Sequence, residues 1–149
     1  MQAIIRYELV INEALRSALM LDTPDEQIDE FIRFFGKHIG CDRIYIFEDN
    51  KKEHVTDNTY EWCRQGIESE IDYLQGVDMD IIDWWYKAFD KKENVIIRDV
   101  ETIKNEHVYT YNTLKIQNVK RLVVCPIRYK VKSVVSLAWT IHRLMIIWV

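Results

Sequence analysis

The stretch that decides the fold reads Arg43-Ile-Tyr-Ile-Phe-Glu48, then a charged turn, then Asn58-Thr-Tyr-Glu-Trp-Cys63. Both runs alternate polar with apolar or aromatic residues at a period of two, which is typical of half-buried strands. The segment 49–53 between them is charged and predicts a turn, so the two runs together predict an antiparallel hairpin. Tyr60 and Trp62 lie on one face of the second strand. Large rings in this arrangement can cover a core or wall a pocket, and the sequence leaves both interpretations open.

The composition limits the classes of partner. The chain has 149 residues, of which 48% are apolar, and this suits one domain with a sizeable core. Its net charge is −4 and charges of both signs are interspersed, so it has no basic stripe to bind nucleic acid. Charged residues break the early apolar runs, and the N-terminus lacks the features of a signal peptide. We expect a cytoplasmic protein with no membrane partner and with reduced thiols at Cys41, Cys63 and Cys125.

Hydrophobic spacing and cap residues predict the remaining elements. Residues 3–20 have the pattern of an amphipathic helix. A second helix is predicted to begin after an N-cap at Thr23, with Pro24 in its first turn, and to end at Gly40. The other predicted elements are helices near 79–90 and 102–117 and strands over 94–97, 121–127 and 133–139. Clustered strands with helices between them predict an α+β fold, in which a central antiparallel sheet carries helices on both faces.

These elements and residues together resemble a GAF domain, the small-molecule sensor module of bacterial signalling proteins. The resemblance covers residues 24 to about 132, and the run 58–63 is its most specific part. The other runs that carry it are 43–48, Gly66-Ile67, Ile71-Asp72, Trp84-Trp85, Val95-Ile-Ile97 with Asp99-Val100, and Val123-Val-Cys-Pro-Ile127. More narrowly, they are similar to the branch at the N-terminus of GGDEF diguanylate cyclases. The resemblance implies a non-enzymatic sensory input domain, linked to a GGDEF-type output in cyclic di-GMP signalling.

The end of the chain departs from the family pattern. Such domains finish with a Gly-Phe-Ile-Gly-type strand, an Asp-Asn-Pro turn and a final helix, whereas residues 133–149 have none of these. Back-translation of this tail with permitted codons, read in a shifted frame, gives Gly-Phe-Ile-Gly-Leu-Asp-Asn-Pro. We therefore hypothesise a frameshift near Lys132-Ser133. We expect residues 1–149 to form one domain, with an N-terminal amphipathic helix over 1–20 and an atypical C-terminus over 133–149 that this hypothesis explains.

The resemblance implies a ligand between one face of the sheet and the segments that cross it. The candidate ligand-binding residues on this basis are Tyr60, Trp62, Asp72, Tyr73, Trp84, Trp85, Arg98 and Tyr109. The rings would stack on a flat ligand, while Arg98 or Asp72 fixed its orientation. The alternative for each ring is packing in the core, where aromatic burial alone stabilises a domain. Because Trp84 and Trp85 are adjacent, they point to different faces of a helix, and at most one is expected in a pocket.

Two other functions stay open. One is a ligand-free dimerisation or structural module whose pocket is filled by its own rings. The other is a reductase of free methionine sulfoxide, as in one branch of GAF-like proteins, which requires a thiol of lowered pKa and a resolving partner. Cys125 lies inside an apolar strand and is expected to be inert. No cofactor is identified, and no metal site is predicted because the histidines have no ligand spacing. They are His38, His54, His107 and His142.

The first helix also has two interpretations. Its apolar stripe of Ile4, Ile11, Leu15 and Ala18 can pack within the domain, as most amphipathic helices do. In GAF-type sensors the terminal helices often form a dimer bundle instead, so the resemblance implies a homodimer. An unknown small-molecule ligand would then shift the balance between two helix arrangements.

Overall fold

An antiparallel sheet forms the centre of the computed structural model, which describes residues 2–129 and 132–140 and, within them, the side chains of residues 6–127. The strands are β1 (Arg43–Asn50), β2 (Val55–Cys63), β3 (Val77–Asp78), β4 (Val95–Ile97), β5 (Leu122–Tyr129) and β6 (Lys132–Thr140). They lie in the order β3-β2-β1-β6-β5-β4, and every neighbouring pair is antiparallel. The predicted antiparallel sheet and the predicted hairpin of β1 and β2 are confirmed.

Helices cover both faces of this sheet. They are α1 (Gln2–Leu19), α2 (Pro24–Ile39), α3 (Asp83–Asp90) and α4 (Val108–Ile116). Ile44 and Ile46 of β1 join the core on the side of α1 and α2, while Tyr45 joins the core that contains Phe89 of α3 and Leu114 of α4. Successive residues of a strand face opposite sides, so β1 contributes to both cores. The predicted α+β fold with helices on both faces is confirmed.

The start and end of α2 follow from its sequence. The Thr23 hydroxyl accepts a hydrogen bond from the Glu26 backbone N–H (3.3 Å), and the Glu26 carboxylate accepts one from the Thr23 N–H (3.2 Å). This capping box satisfies N–H groups that the first helical turn leaves unpaired. Gly40 ends the helix in the left-handed conformation, with φ +75°, and its N–H donates to the Gly36 carbonyl. The predicted helix start at Thr23 and end at Gly40 are both confirmed.

Helix α2 approaches the sheet closely at one glycine. A Cβ atom built on Gly36 would lie 2.4 Å from Cε3 and 2.5 Å from Cζ3 of the Trp62 ring, and 3.0 Å from Cδ1 of Ile44. These distances are well below carbon–carbon contact distance. The absence of a side chain at Gly36 therefore allows the Trp62 ring to lie against the helix.

Helix α1 packs inside the domain through one side only. Ala14 and Ala18 are buried, and Tyr7, Val10 and Ile11 pack against the core that α2 shares with the sheet. Leu15, which the predicted stripe included, is 45% exposed, and the side chain of Ile4 lies outside the described ones. The packing side of the helix is thus centred on the alanines and leaves part of the apolar surface of α1 uncovered.

Three local features differ from the sequence predictions. The helix predicted from residue 79 begins at Asp83, because Asp78 holds a turn by accepting hydrogen bonds from the backbone N–H groups of Asp80 and Ile81. The helix predicted over 102–117 is divided into a 3₁₀ turn, 100–103, and α4. The sequence also gave no indication of the 3₁₀ turn at Ile71–Tyr73 or of strand β3.

A bulge interrupts the β1–β2 hairpin. The register shifts between Ile46 and Phe47, where β1 lies opposite Asn58 and Tyr60 of β2. The buried Asn58 side-chain amide, oriented by its hydrogen-bond partners, donates to the carbonyls of Tyr60 (2.8 Å) and Ile46 (3.3 Å). This buried amide therefore bonds to the backbone of both strands at the bulge.

Strand β6 covers the segment predicted over 133–139 and pairs with β1 and β5. The end of the tail on which the frameshift hypothesis bears, residues 141–149, lies outside the described residues.

Candidate ligand-binding cavity

A cavity of about 60 Å³ lies between the sheet and helices α3 and α4, and we call it the aromatic cavity. It is lined by Tyr45, Phe47, Thr56, Leu74, Val77, Ile82, Trp85, Tyr86, Phe89, Tyr109, Thr110, Thr113, Leu114, Gln117 and Leu122. The strands supply its floor, and the helices and the 74–82 segment supply its walls. All of these lining residues have described side chains, and none of them is Asp, Glu, Lys, Arg or Cys.

Hydrogen bonds within the protein fix the floor of the aromatic cavity. The buried Tyr45 hydroxyl donates to Oε1 of Gln117 at 2.8 Å. Arg43, 5% exposed, donates through Nη1 to the Gln117 carbonyl at 3.0 Å and to the Tyr45 hydroxyl oxygen at 3.4 Å. Its Nε donates to the Glu68 carbonyl at 3.0 Å. Burial raises the pKa of Tyr45, so its phenol is neutral at physiological pH.

Helices α3 and α4 are joined beside the cavity. The Trp84 ring stacks on His107 with 3.9 Å between ring centroids, and its Nε1 donates to the Thr110 hydroxyl at 3.1 Å. Two residues after Trp84 in α3, the Tyr86 hydroxyl donates to the Asp49 carboxylate of β1 at 2.9 Å. Burial raises the pKa of Tyr86 as well. These contacts hold α3 against both the sheet and α4.

A buried polar atom of one lining residue, Trp85, has no hydrogen-bond partner among the described residues. The indole Nε1 of Trp85 is buried and makes no hydrogen bond to any described part of the chain. Leaving such a donor unpaired destabilises a folded protein by about 1–3 kcal/mol. Trp85 as a residue lines the aromatic cavity, while its Nε1 is itself enclosed by protein and has almost no accessible surface.

Comparison with solved structures identifies the fold. The phycoerythrobilin-bound GAF domain of a cyanobacterial phytochrome matches with a TM-score of 0.73 and 15% identity, over 97% of this chain and 86% of that one. The chain has the GAF fold. The phycocyanobilin-bound GAF domain of a cyanobacterial phytochrome matches at 0.72 and 17% identity, over 95% of this chain and 83% of that one. The free methionine-R-sulfoxide reductase from Neisseria meningitidis, solved with its substrate, matches at 0.66 and 10% identity, over 93% and 74%.

Sequence comparisons add no closer relation. No protein-family model matches the chain, and no curated protein matches it. At these identities the structural likeness establishes the GAF fold alone, and function has to be argued from this chain's own residues. The resemblance to GAF domains is therefore confirmed for the fold.

The GAF fold brings two of the predicted ligand-binding residues together. Trp85 and Tyr109 both line the aromatic cavity. Trp84, the neighbour of Trp85, packs beside the cavity through its contacts with His107 and Thr110. The two adjacent tryptophans thus have different surroundings, as their positions on a helix require.

The structure places the other predicted residues elsewhere. Tyr60 and Trp62 pack against the core under α2, on the opposite face of the sheet from the aromatic cavity. The Tyr60 hydroxyl donates to Asp25 in the first turn of α2. Tyr73 is 81% exposed, and Asp72 and Arg98 are exposed as well. None of these five is among the residues that line the cavity.

Sequence reasoning missed most of the residues that do line the cavity. Tyr45 and Phe47 face it from β1, and the alternation of rings with Ile44 and Ile46 in that strand was a signal for two differently packed faces. Gln117 was noted only as the end of a helix. Its role in holding the Tyr45 hydroxyl depends on a contact across 72 residues of chain, which no local pattern indicates.

A second, polar cavity of about 240 Å³ lies near the start of β1. Its lining mixes carboxylates with the cations of Arg43 and Lys120. Although it is larger, its buried guanidinium already donates to the Glu68 and Gln117 carbonyls, and the flanking charges of both signs favour no one ligand class. Arg43 is therefore best explained as a structural link between the 64–70 loop and the floor of the aromatic cavity.

The cysteine thiols lack the properties of reactive groups. Burial raises the pKa of Cys41 to about 12. Burial, together with the neighbouring Glu61 carboxylate, raises the pKa of Cys63 to about 11. Both thiols are thus protonated at physiological pH, whereas the thiolate is the nucleophile. Cys125 is buried in the core beneath α1 and α2.

An exposed group of metal-binding residue types lies at the β2–β3 end of the sheet. Ligand atoms of His54, Asp78 and Asp80 all lie within 4.8 Å of one another. The His54 ring contacts the Asp80 carboxylate at 2.8 Å, and this hydrogen bond raises the pKa of His54. Exposed groups of this kind commonly occur without an ion, so this geometry alone does not identify a metal site.

Across the described helices, none has the length and apolar character needed to cross a bilayer.

Proposed function

We propose that this chain is a non-enzymatic sensory input domain that binds a small molecule in the aromatic cavity. The observation that carries the proposal is the aromatic cavity itself, whose described lining is mainly apolar and aromatic and contains a few hydroxyl and amide groups. A concave, mostly apolar site with a few polar groups is the usual form of a small-molecule site. The GAF domains that resemble this chain were solved with bilins bound, which supports a sensory role.

The absence of suitable thiol chemistry supports a non-enzymatic role. The elevated pKa values of Cys41 and Cys63 leave little thiolate at neutral pH. Cys41, Cys63 and Cys125 all have described side chains, and none of them lines the aromatic cavity. A reductase acting at this cavity would therefore lack its nucleophile.

Three finer parts of the proposal rest on the sequence. We infer that the domain is cytoplasmic, that it natively controls a GGDEF-type output and that it forms a homodimer through α1. The run 58–63 supports the GGDEF branch. The coding sequence beyond residue 132 tests both this linkage and the frameshift, because an open frame that continues into an unrelated domain contradicts both.

Uncovered apolar side chains on α1 support the homodimer. Leu9 is 58% exposed and Leu19 is 71% exposed, and Met20, directly after the helix, is 80% exposed. We expect Leu9→Glu to shift the molecular mass in light scattering from dimer towards monomer, with the thermal midpoint changed little because Leu9 contributes little to the domain core. A variant that keeps the wild-type mass contradicts dimerisation through this surface.

A second candidate function is favoured by the size of the cavity. At about 60 Å³ it is far smaller than the roughly 300–1,000 Å³ of most ligand sites. In this second candidate function, the domain is a structural module, and Trp85, Tyr86 and their neighbours fill the aromatic cavity with their own side chains. A ligand of ordinary size would instead require α3 or the 74–82 segment to move outward.

Thermal denaturation separates the two candidates. A compound present at 100 times its Kd stabilises the native state by about 2.7 kcal/mol, which corresponds to a rise of roughly 5–10 °C in Tm. We expect one class of metabolite to give this shift with the wild-type chain. Thr113→Phe, which places a ring in the aromatic cavity, should abolish the shift, whereas Thr59→Phe on the exposed side of β2 should retain it. Absence of any stabilising compound supports the structural module.

A further inference from the structure

We propose that two copies of this chain associate through antiparallel α1 helices, so that Leu9 of each copy packs against the partner's Leu19 and Arg16 lies beside the partner's Glu13. This inference rests on the homodimer proposed above and specifies its surface, its orientation and its register. Two features of α1 carry it: a row of exposed residues with coiled-coil spacing, and the signs of the charges along that row.

The outward side of α1 carries a row of residues three or four positions apart, which is the spacing of the core positions of a coiled coil. We call this row the outer seam, and its members are Leu9, Asn12, Arg16 and Leu19. At about 100° per residue, the seam lies roughly 140–180° round the helix from the buried Ala14 and Ala18. All four members are exposed. The seam therefore points away from the described core of the domain and is available to a second copy.

A parallel pair of α1 helices would bring like charges together. Identical core positions face each other in a parallel coiled coil, so Arg16 would face the partner's Arg16. The residues that flank the core positions pair across the same interface, and this sets Glu8 against the partner's Glu13. Glu8, Glu13 and Arg16 are all exposed. Both sets of contacts in a parallel pair are thus repulsive.

An antiparallel pair that crosses level with residue 14 brings together side chains that attract each other. Leu9 is then level with the partner's Leu19 at both ends of the outer seam. Arg16 is level with residues 12 and 13 of the partner, so its guanidinium lies beside the carboxylate of Glu13.

The ion pair within α1 is compatible with this arrangement. Arg16 Nη1 lies 3.5 Å from Glu13 Oε1, and the two side chains are 76% and 51% exposed. Each charge is therefore accessible to the opposite charge of a second copy. Two arginines and two glutamates alternate at the crossing point, and networks of this kind contribute more than isolated surface pairs.

Cysteine cross-linking determines the orientation. The variants Leu9→Cys and Leu19→Cys are each oxidised alone and as an equal mixture, and mass spectrometry identifies the products. In the antiparallel pair the two copies of residue 9 lie roughly 15 Å apart along the helix axis, at about 1.5 Å per residue, which is beyond the reach of a disulfide. We expect the mixture to give a disulfide dimer with one chain of each variant, and each variant alone to give none. The wild-type chain is the matched control, because Cys41 and Cys125 are buried and the pKa of Cys63 is raised to about 11.

Charge reversal tests the register. Arg16→Glu places a carboxylate beside the partner's Glu13, and because two such contacts change in each dimer, we expect the Kd of the dimer to rise about tenfold. The double variant Glu13→Arg/Arg16→Glu exchanges the two charges and should restore the wild-type Kd. In a parallel pair Arg16→Glu would replace one like-charge contact with another and leave the Kd unchanged. Circular dichroism of all three chains should show the same helix content, since Arg16 and Glu13 are exposed.

The outcomes separate this inference from the proposals on which it rests. A disulfide dimer of either single variant alone, no disulfide dimer in the mixture, or an unchanged Kd in Arg16→Glu overturns the antiparallel pairing. A wild-type chain that is monomeric in light scattering at every concentration overturns the homodimer as well, and it means that the outer seam is bare or covered from within the chain. Thr113→Phe tests the small-molecule function separately, so a failure there does not bear on the pairing of α1.

Discussion

Gly36→Ala tests how tightly α2 packs on the sheet. The added methyl would lie 2.4 Å from Cε3 of Trp62 and 3.0 Å from Cδ1 of Ile44, which is itself 1% exposed. Because carbon atoms pack at about 3.5–4.0 Å, the Trp62 ring or the helix has to move by more than about 1 Å. Overpacking of this kind costs about 1–3 kcal/mol, whereas replacement of Gly by Ala within a helix favours folding by about 1 kcal/mol. With two ring atoms in the overlap, we expect a net loss of about 1–2 kcal/mol.

Urea denaturation of four chains measures this loss. They are the wild type, Gly36→Ala, Trp62→Leu and the double variant, and the expected loss corresponds to a fall of roughly 2–8 °C in Tm. In the Trp62→Leu background the overlap with the ring is gone, so Gly36→Ala should become neutral or stabilising by up to about 1 kcal/mol. The difference between the two backgrounds is the coupling energy of the pair. Stabilisation by Gly36→Ala in the wild-type background would refute the close approach.

Three further perturbations have expected outcomes. The Asp80 carboxylate, with further contributions from Asp78 and Asp83, raises the pKa of His54. NMR titration should therefore give a pKa above about 6.5, and this pKa should fall towards that value in Asp80→Asn. Because the pKa is raised, the stabilisation from the pair is complete below about pH 6.5 and is lost as the pH rises through the folded-state pKa. An unchanged midpoint in Asp80→Asn contradicts the contact. Alkylation of Cys63 by iodoacetamide should be slow at pH 8 and accelerate towards pH 11, since its pKa is about 11. Rapid alkylation of the folded protein at pH 7 would contradict this and support a thiol-based reductase. Thr23→Ala removes the hydroxyl that caps α2 and should destabilise the domain by about 1 kcal/mol in urea denaturation, whereas Thr23→Ser should retain most of the stability; equal losses in both variants would contradict the capping role.

Local patterns predicted the sheet and helices well because their causes are local. The period-two runs at 43–48 and 58–63 became β1 and β2, and the cap residues at Thr23 and Gly40 set the limits of α2. The helices predicted from residues 79 and 102 were too long. The helix predicted from residue 79 begins late because the Asp78 side chain accepts a hydrogen bond from the Asp80 N–H and holds a turn, which competes with the helix. The Asp99 side chain accepts a hydrogen bond from the Glu101 N–H and so begins the separate 3₁₀ turn that precedes α4.

The ligand site was harder to predict, because a strand pattern shows which residues share a face and not what covers that face. Tyr60 and Trp62 share a face as expected, but α2 covers it. Their cross-strand neighbours in β1 are Ile46 and Ile44, which also face the helices. The aromatic cavity lies on the other side, which carries the rings of Tyr45 and Phe47. These rings were not predicted to line a pocket, because Tyr60 and Trp62 in the following strand were the more prominent pair.

The position of β1 in the sheet has a mechanical consequence. Tyr45 touches the aromatic cavity, while the next residue, Ile46, belongs to the core under α1 and α2. An occupant that displaces the backbone at Tyr45 must therefore displace Ile46 with it, since one peptide bond joins them. The cavity and the core under α1 and α2 are separated by the thickness of one strand. A displacement of β1 at the cavity would therefore reach α1 and α2 directly, without a relay of side chains.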